Sequence, residues 1–172
     1  AADTSAFLDV APDRRAAMDR LACLVHLSLG LPWRALVIPV AGLLRKVPPR
    51  NALAERSRLV RPETELDRDE FLRILTECGY LRVPVAEDPG TFAVRGGIVD
   101  VYPPHAKHPV RIELDDWLIT SIKAFEPEDQ RTIGAVASVL VHPVREAIAG
   151  PAETALARER VRALCGRIDL PS

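Results

Sequence analysis

The stretch 110-VRIELDDWLITSIKAF-125 leaves little freedom in how it folds. Val110, Ile112 and Leu114 alternate with Arg111 and Glu113, so a strand turns the apolar set inward and the charged pair outward. Asp115-Asp116-Trp117 is a tight turn, and LITSIKAF (118–125) returns as the hairpin partner. Upstream, Phe92 and Val94 share one strand face, with Arg95 on the other. Gly96-Gly97 permits a bulge or a close backbone approach before IVDVY (98–102) resumes the sheet. AVASVLVHP (135–143) is one more strand, closed by Pro143, so strand patterns run from 81 to 142.

Helical punctuation surrounds this sheet. In 66-LDRDEFLRILTECG-79, Asp67 caps, Glu70 completes a capping box and Leu66 staples to Phe71. Phe71, Ile74, Leu75 and Cys78 form its apolar stripe, and Gly79 supplies a left-handed stop. Residues 12–29 place Met18, Leu21, Val25 and Leu29 on one helical face, with Pro12 in the first turn and Gly30 and Pro32 beyond the end. ALVIPV (35–40) reads as a short strand buried on both faces, as in a parallel sheet. AGLLRKV (41–47) suits a helical turn or two before Pro48-Pro49, and Pro151 opens a last helix with Ala157, Val161, Leu164 and Ile168 on one face. The first 55 residues therefore read as part of an α/β domain whose other strands lie outside this sequence. The chain begins on Ala1 rather than Met, which suits a piece of a longer protein.

Composition excludes several functions. With 172 residues, 48% of them hydrophobic, the chain suffices for one ordinary domain or two small ones. A formal net charge of −1 provides no basic field for tight nonspecific DNA binding. Cys23, Cys78 and Cys165 are widely spaced, each within a helix-like pattern, and read as small core residues in a reducing cytosol. No apolar run reaches membrane-span length, so the expectation is a soluble, cytoplasmic protein without a membrane partner. None of the lysines, at 46, 107 and 123, follows a glycine or precedes Ser or Thr, so the chain holds no Walker A phosphate loop. Neither a G-x-S-x-G elbow nor an H-E-x-x-H helix occurs. No catalytic residue, cofactor site or metal site is expected.

Two clusters can imitate chemistry. His105 and His108 share the loop PPHAKHP, but no cysteine or further histidine stands nearby in sequence to finish a tetrahedral site. His26 and His142 are single histidines in apolar contexts and read as structural. Asp100, Glu113, Asp115 and Asp116 can mimic a magnesium-dependent nuclease, yet Lys107 and Lys123 fall outside the usual acid–lysine pattern. Outward acids on a hairpin are more often solvated or paired with arginines. Arg95 and Arg111 allow two readings. Each can pair with acidic neighbours across strands, contributing ~0.5 kcal/mol, or the two can share an exposed face with Glu113 as a partner surface. Pattern alone does not decide between them.

The order of blocks GY-x-R-V, PGTFAVRGGIVDVYPP, HPVRIEL and SIKAFEPEDQRTI through residues 79–133 closely resembles the N-terminal, UvrB-like region of the Mfd family of bacterial transcription-repair coupling factors. APDRRAAMDRLACL and LVIPVAGLLRKVPP resemble the segment before it. The resemblance implies an α/β chain: a partial helicase-like domain 1a over 1–55 without a nucleotide site, and domain 2 over 56–146. The latter is a small, mainly antiparallel α+β module that binds UvrA. Residues 147–172 would begin domain 1b. It further implies a non-catalytic module that recruits UvrA to stalled RNA polymerase in nucleotide excision repair. The parent would be an ATP-dependent DNA translocase that meets RNA polymerase and DNA through other domains.

The arginines of the V-R-G and P-x-R-I-E blocks lie at the family's UvrA contact, which carries over to Arg95 and Arg111, with Glu113, Asp115 and Trp117 beside them. One departure is the turn LDDWLITS, where Asp115 stands in place of an aromatic or glycine and Trp117 and Leu118 replace acids. Trp117 is then either a displaced aromatic anchor or a locally packed ring, the latter being the simpler reading. A UvrB-like, DNA-binding damage-loading fragment is the alternative. It would show R-G-D in place of Arg95-Gly96-Gly97 and a tyrosine-rich hairpin, whereas only Tyr80 and Tyr102 occur.

Overall fold

A computed structural model of the chain describes residues 14–146 and 151–167. Among the described residues five helices, α1 (Arg14–Ser28), α2 (Val40–Leu43), α3 (Arg50–Glu55), α4 (Arg68–Glu77) and α5 (Pro151–Arg167), accompany eight strands. These are β1 (Arg58–Val60), β2 (Leu81–Arg82), β3 (Thr91–Arg95), β4 (Ile98–Tyr102), β5 (Val110–Asp115), β6 (Leu118–Phe125), β7 (Thr132–Ala135) and β8 (Val139–Val141). The strands β2-β3-β4-β5-β6-β7 form one sheet in that order, and β1 pairs with β8 in a second. Only β2–β3 is parallel.

The period of two seen in the sequence sorts the large sheet into an apolar and a polar face. Phe92, Val99, Val101, Val110, Ile112 and Ile122 are buried in one cluster with Phe71 and Leu75 of α4. The polar face carries Arg95, Asp100, Arg111, Glu113, Ser121 and Lys123, brought abreast by the pairs Asp100↔Arg111, Arg111↔Lys123 and Glu113↔Ser121. Asp67 caps α4 as expected, its carboxylate accepting from the amides of Asp69 and Glu70, while the Glu70 carboxylate lies 3.7 Å from Arg73. It ends where Gly79 takes φ 91°.

The β3–β4 turn depends on both of its glycines. Gly96 has φ 58°, and a side chain at Gly97 would put its Cβ 2.6 Å from the carbonyl oxygen of Leu114. That close approach serves a bond: the Gly97 carbonyl accepts from the Leu114 amide at 2.8 Å.

Several expectations are corrected. Residues 35–39 form no strand, and Val37 is 92% exposed. A strand needs a neighbour's backbone, and no strand of the described residues runs beside this segment; Pro32 and Pro39 also lack donors. The single strand expected over 135–143 is two. After the Val136 amide bonds the Ile122 carbonyl, the chain leaves the large sheet, and β8 joins β1 instead. Val139 and Val141 enter the main core, while Leu140 packs against the small cluster of Leu21, Val25 and Leu53. The strand β1, which no pattern singled out, forms because β8 is there to pair with it. Of the cysteines, Cys78 is buried as expected, but Cys23 lies on the exposed side of α1. Val161 and Leu164 of α5 are exposed; Pro12 and Ile168 fall outside the described residues.

Candidate partner-binding face

Arg95 and Arg111 sit on the same face of the sheet although their strands are not neighbours; β4 lies between them. What β4 supplies there is Asp100. Its side chain keeps 1% of its surface exposed, and a carboxylate so deep requires cationic partners. Arg111 grips it bidentately, Nε to Oδ1 at 2.8 Å and Nη2 to Oδ2 at 2.8 Å. Arg95 approaches the same Oδ2 at 3.9 Å while remaining 51% exposed. The two arginines thus differ: Arg111 is chiefly inside the fold, with 20% of its side chain exposed, and Arg95 is held by one long ion pair.

Arg111 has further supports that the sequence did not reveal. Nη2 also donates to the Gln130 side-chain oxygen at 3.2 Å, and the guanidinium carbon lies 4.8 Å from the centre of the Phe125 ring. Gln130 is fixed in turn: its amide nitrogen donates to the Pro127 carbonyl at 2.9 Å, and its backbone has φ 63°. The hydrogen bonds to Asp100 hold the Arg111 pKa above its ordinary value, the loss of water opposing them. Glu113 is paired as well. It accepts from Ser121 Oγ at 2.6 Å and from Lys123 Nζ at 2.9 and 3.0 Å. The Ser121 hydrogen bond, then Lys123, pushes its carboxyl below the usual range.

The turn at the sheet's end presents its side chains outward. Asp116 takes φ 54°, and Asp115 pairs with Leu118. The Trp117 side chain does not pack away: the residue is 58% exposed, while its carbonyl accepts from the Leu66 amide at 2.7 Å. It borders a cleft of about 320 Å³ between the start of α4 and the tip of the sheet. Arg68, which also lines it, donates to the Gly96 carbonyl at 3.1 Å.

The remaining clusters resolve differently from their sequence spacing. His105 and His108 do not converge; His105 Nδ1 instead meets His142 Nε2 at 2.9 Å, and His108 lies 3.7 Å from Glu126. His142 Nδ1 is 2.7 Å from the Pro143 carbonyl, which can only accept. The proton therefore sits on His142 Nδ1, and His105 Nδ1 donates to His142 Nε2. The oxygens of Asp100 and Glu113 accept from arginine, lysine and serine rather than facing an open cation position. Among the described residues no three acidic, histidine or cysteine side chains gather to hold a metal. No helix among them is long and apolar enough to cross a membrane.

A mainly antiparallel sheet backed by one helix, with paired charges on the opposite face, defines a small domain of mixed α/β structure. The chain belongs to the UvrB interaction domain family, which it matches over residues 59–146. It is 39% identical over 164 residues to a transcription-repair-coupling factor of Myxococcus xanthus, covering 95% of this chain and 14% of that protein. Proteins of the same name from Bacillus subtilis and Mycobacterium bovis are 38% and 36% identical, each over 73% of this chain. The chain thus spans 14% or less of the length of these curated relatives.

Proposed function

We propose that this chain is the UvrA-recruiting module of a transcription-repair coupling factor and that it performs no catalysis itself. The observation carrying this reading is the family match over 59–146 coinciding with a sheet face on which Arg95 stands half exposed beside a fixed carboxylate. Arg95, Arg111, Glu113, Asp115 and Trp117 form the UvrA contact. Arg95 and the outward Trp117 supply the residue types that most often dominate binding energy. Residues 56–146 are the UvrA-binding domain 2, 1–55 part of domain 1a and 147–172 the start of domain 1b. A parent protein with a translocase motor would reach RNA polymerase and DNA through its other domains, in the cytoplasm. The net charge of −1 gives no support to a DNA-binding reading of this chain alone.

Calorimetric titration of the chain with UvrA of the same organism tests this. Saturable binding is expected, weakened by about 1–3 kcal/mol in Arg95→Ala. Arg95 makes one long ion pair, so this variant should keep its circular dichroism and melting curve. Absence of binding by the unmutated folded chain would refute the proposal.

A further inference from the structure

The blocks HPVRIEL and SIKAFEPEDQRTI lie apart in sequence, yet the second surrounds the arginine of the first. Phe125 lies beneath the Arg111 guanidinium, and Gln130, held in a left-handed backbone by its own bond to Pro127, closes over its edge. Asp100 takes Nε and one hydrogen of Nη2, and Gln130 takes the other. Nη1 makes no hydrogen bond among the described residues. The one buried side-chain polar atom lacking a partner there is the Tyr80 hydroxyl, so Nη1 reaches solvent. A guanidinium is planar, and fixing Nε and Nη2 fixes the direction of the Nη1 hydrogens.

We propose that Asp100, Gln130 and Phe125 are positioning residues: they immobilise Arg111 from within the fold so that its Nη1 edge is presented, beside Arg95, to an acceptor oxygen of UvrA. This rests on the UvrA reading above. Preorganisation explains how a side chain mostly committed inside the fold serves a partner, since no rotamer freedom remains to be lost on binding. Gln130 acts only through Arg111, which distinguishes it from a contact residue.

The test has two arms on the 172-residue chain. By nitrogen-15 NMR, the Nη1 and Nη2 resonances of Arg111 should be separate in the unmutated chain, because rotation about the guanidinium bonds is hindered. Exchange between them should be faster in Gln130→Ala, where the Asp100 pair alone hinders rotation, and unchanged in Gln130→Glu, which keeps an acceptor oxygen. In UvrA titrations, Gln130→Ala should weaken binding roughly twofold to tenfold, the worth of one ordinary hydrogen bond. The same substitution should have no further effect in an Arg111→Ala background. If Arg111→Ala does not fold, Arg111→Lys replaces it, since an ammonium cannot form both the bidentate pair and the Gln130 bond.

An exchange rate unchanged in Gln130→Ala overturns the proposal. So does a binding loss of equal size in both backgrounds. Should UvrA fail to bind the unmutated chain, the partner reading falls, and the NMR arm alone decides whether Gln130 immobilises Arg111.

Discussion

At the scale of single residues, two arginines that look alike in sequence have opposite relations to stability. Removing Arg111 strands the Asp100 carboxylate, 1% exposed, without its bidentate partner. Arg111→Ala is therefore expected to destabilise the fold by ~3 kcal/mol, whereas Arg95→Ala changes it by less than ~0.5 kcal/mol. Urea titration of both variants checks the contrast. The alternation around Val99 and Val101 placed Asp100 opposite the core, and a cross-strand acid for Arg111 was among the readings the sequence allowed. The strand order that chose Asp100, and the left-handed backbone that brought in Gln130, depend on nonlocal pairing that no local pattern carries.

The histidine pair gives a second residue-scale expectation. Loss of water lowers both pKa values, that of His105 to about 4 against an ordinary 6.5, and His142 further lowers His105. The unfolded chain then binds protons more readily than the folded one. Stability should rise with pH from about 4 to about 6.5 and be fully present above. Urea midpoints measured across that window should show the slope, and His105→Gln should flatten it.

At the scale of elements, the hairpins were the most legible part of the molecule because their signals are local: alternation, a pair of glycines, a pair of aspartates. The turn at Gly97 is also the least forgiving. Any side chain there meets backbone, the Leu114 carbonyl oxygen at 2.6 Å, and relief requires breaking the rung between β3–β4 and β5. Gly97→Ala should cost on the order of 2 kcal/mol or more, read from thermal or urea unfolding. β8 shows the opposite case. Its apolar alternation runs on from that of β7, and a sequence of this kind cannot show that the chain changes sheets between them. α4 was readable to its ends because its cap and its stop are chemical events at Asp67 and Gly79.

At the scale of the whole molecule, burial is uneven. The main core joins the large sheet, α4 and the β1–β8 pair, whereas the segment 33–47 leaves Val37 at 92% and Leu44 at 84% exposure. Its sequence announced a buried strand, and the apolar composition is real; what is missing among the described residues is anything to bury it against. A contiguous apolar stretch in water promotes association. The isolated chain should sediment as larger species as its concentration rises and should bind a hydrophobic dye. Val37→Lys with Leu44→Lys should reduce both without shifting the unfolding transition. The β1–β8 pair has a mechanical consequence. Its rungs run Arg58↔Val141, Leu59↔Leu140 and Val60↔Val139, so the incoming and outgoing chain lie at the same end of the ladder. Tension drawn through the flanking chain loads these rungs in series, and each yields alone, like a zip rather than a rivet row. The outgoing chain carries a further tie ahead of the zip, the Val144 amide on the Cys78 carbonyl at the end of α4, and that bond must give before the rungs can run.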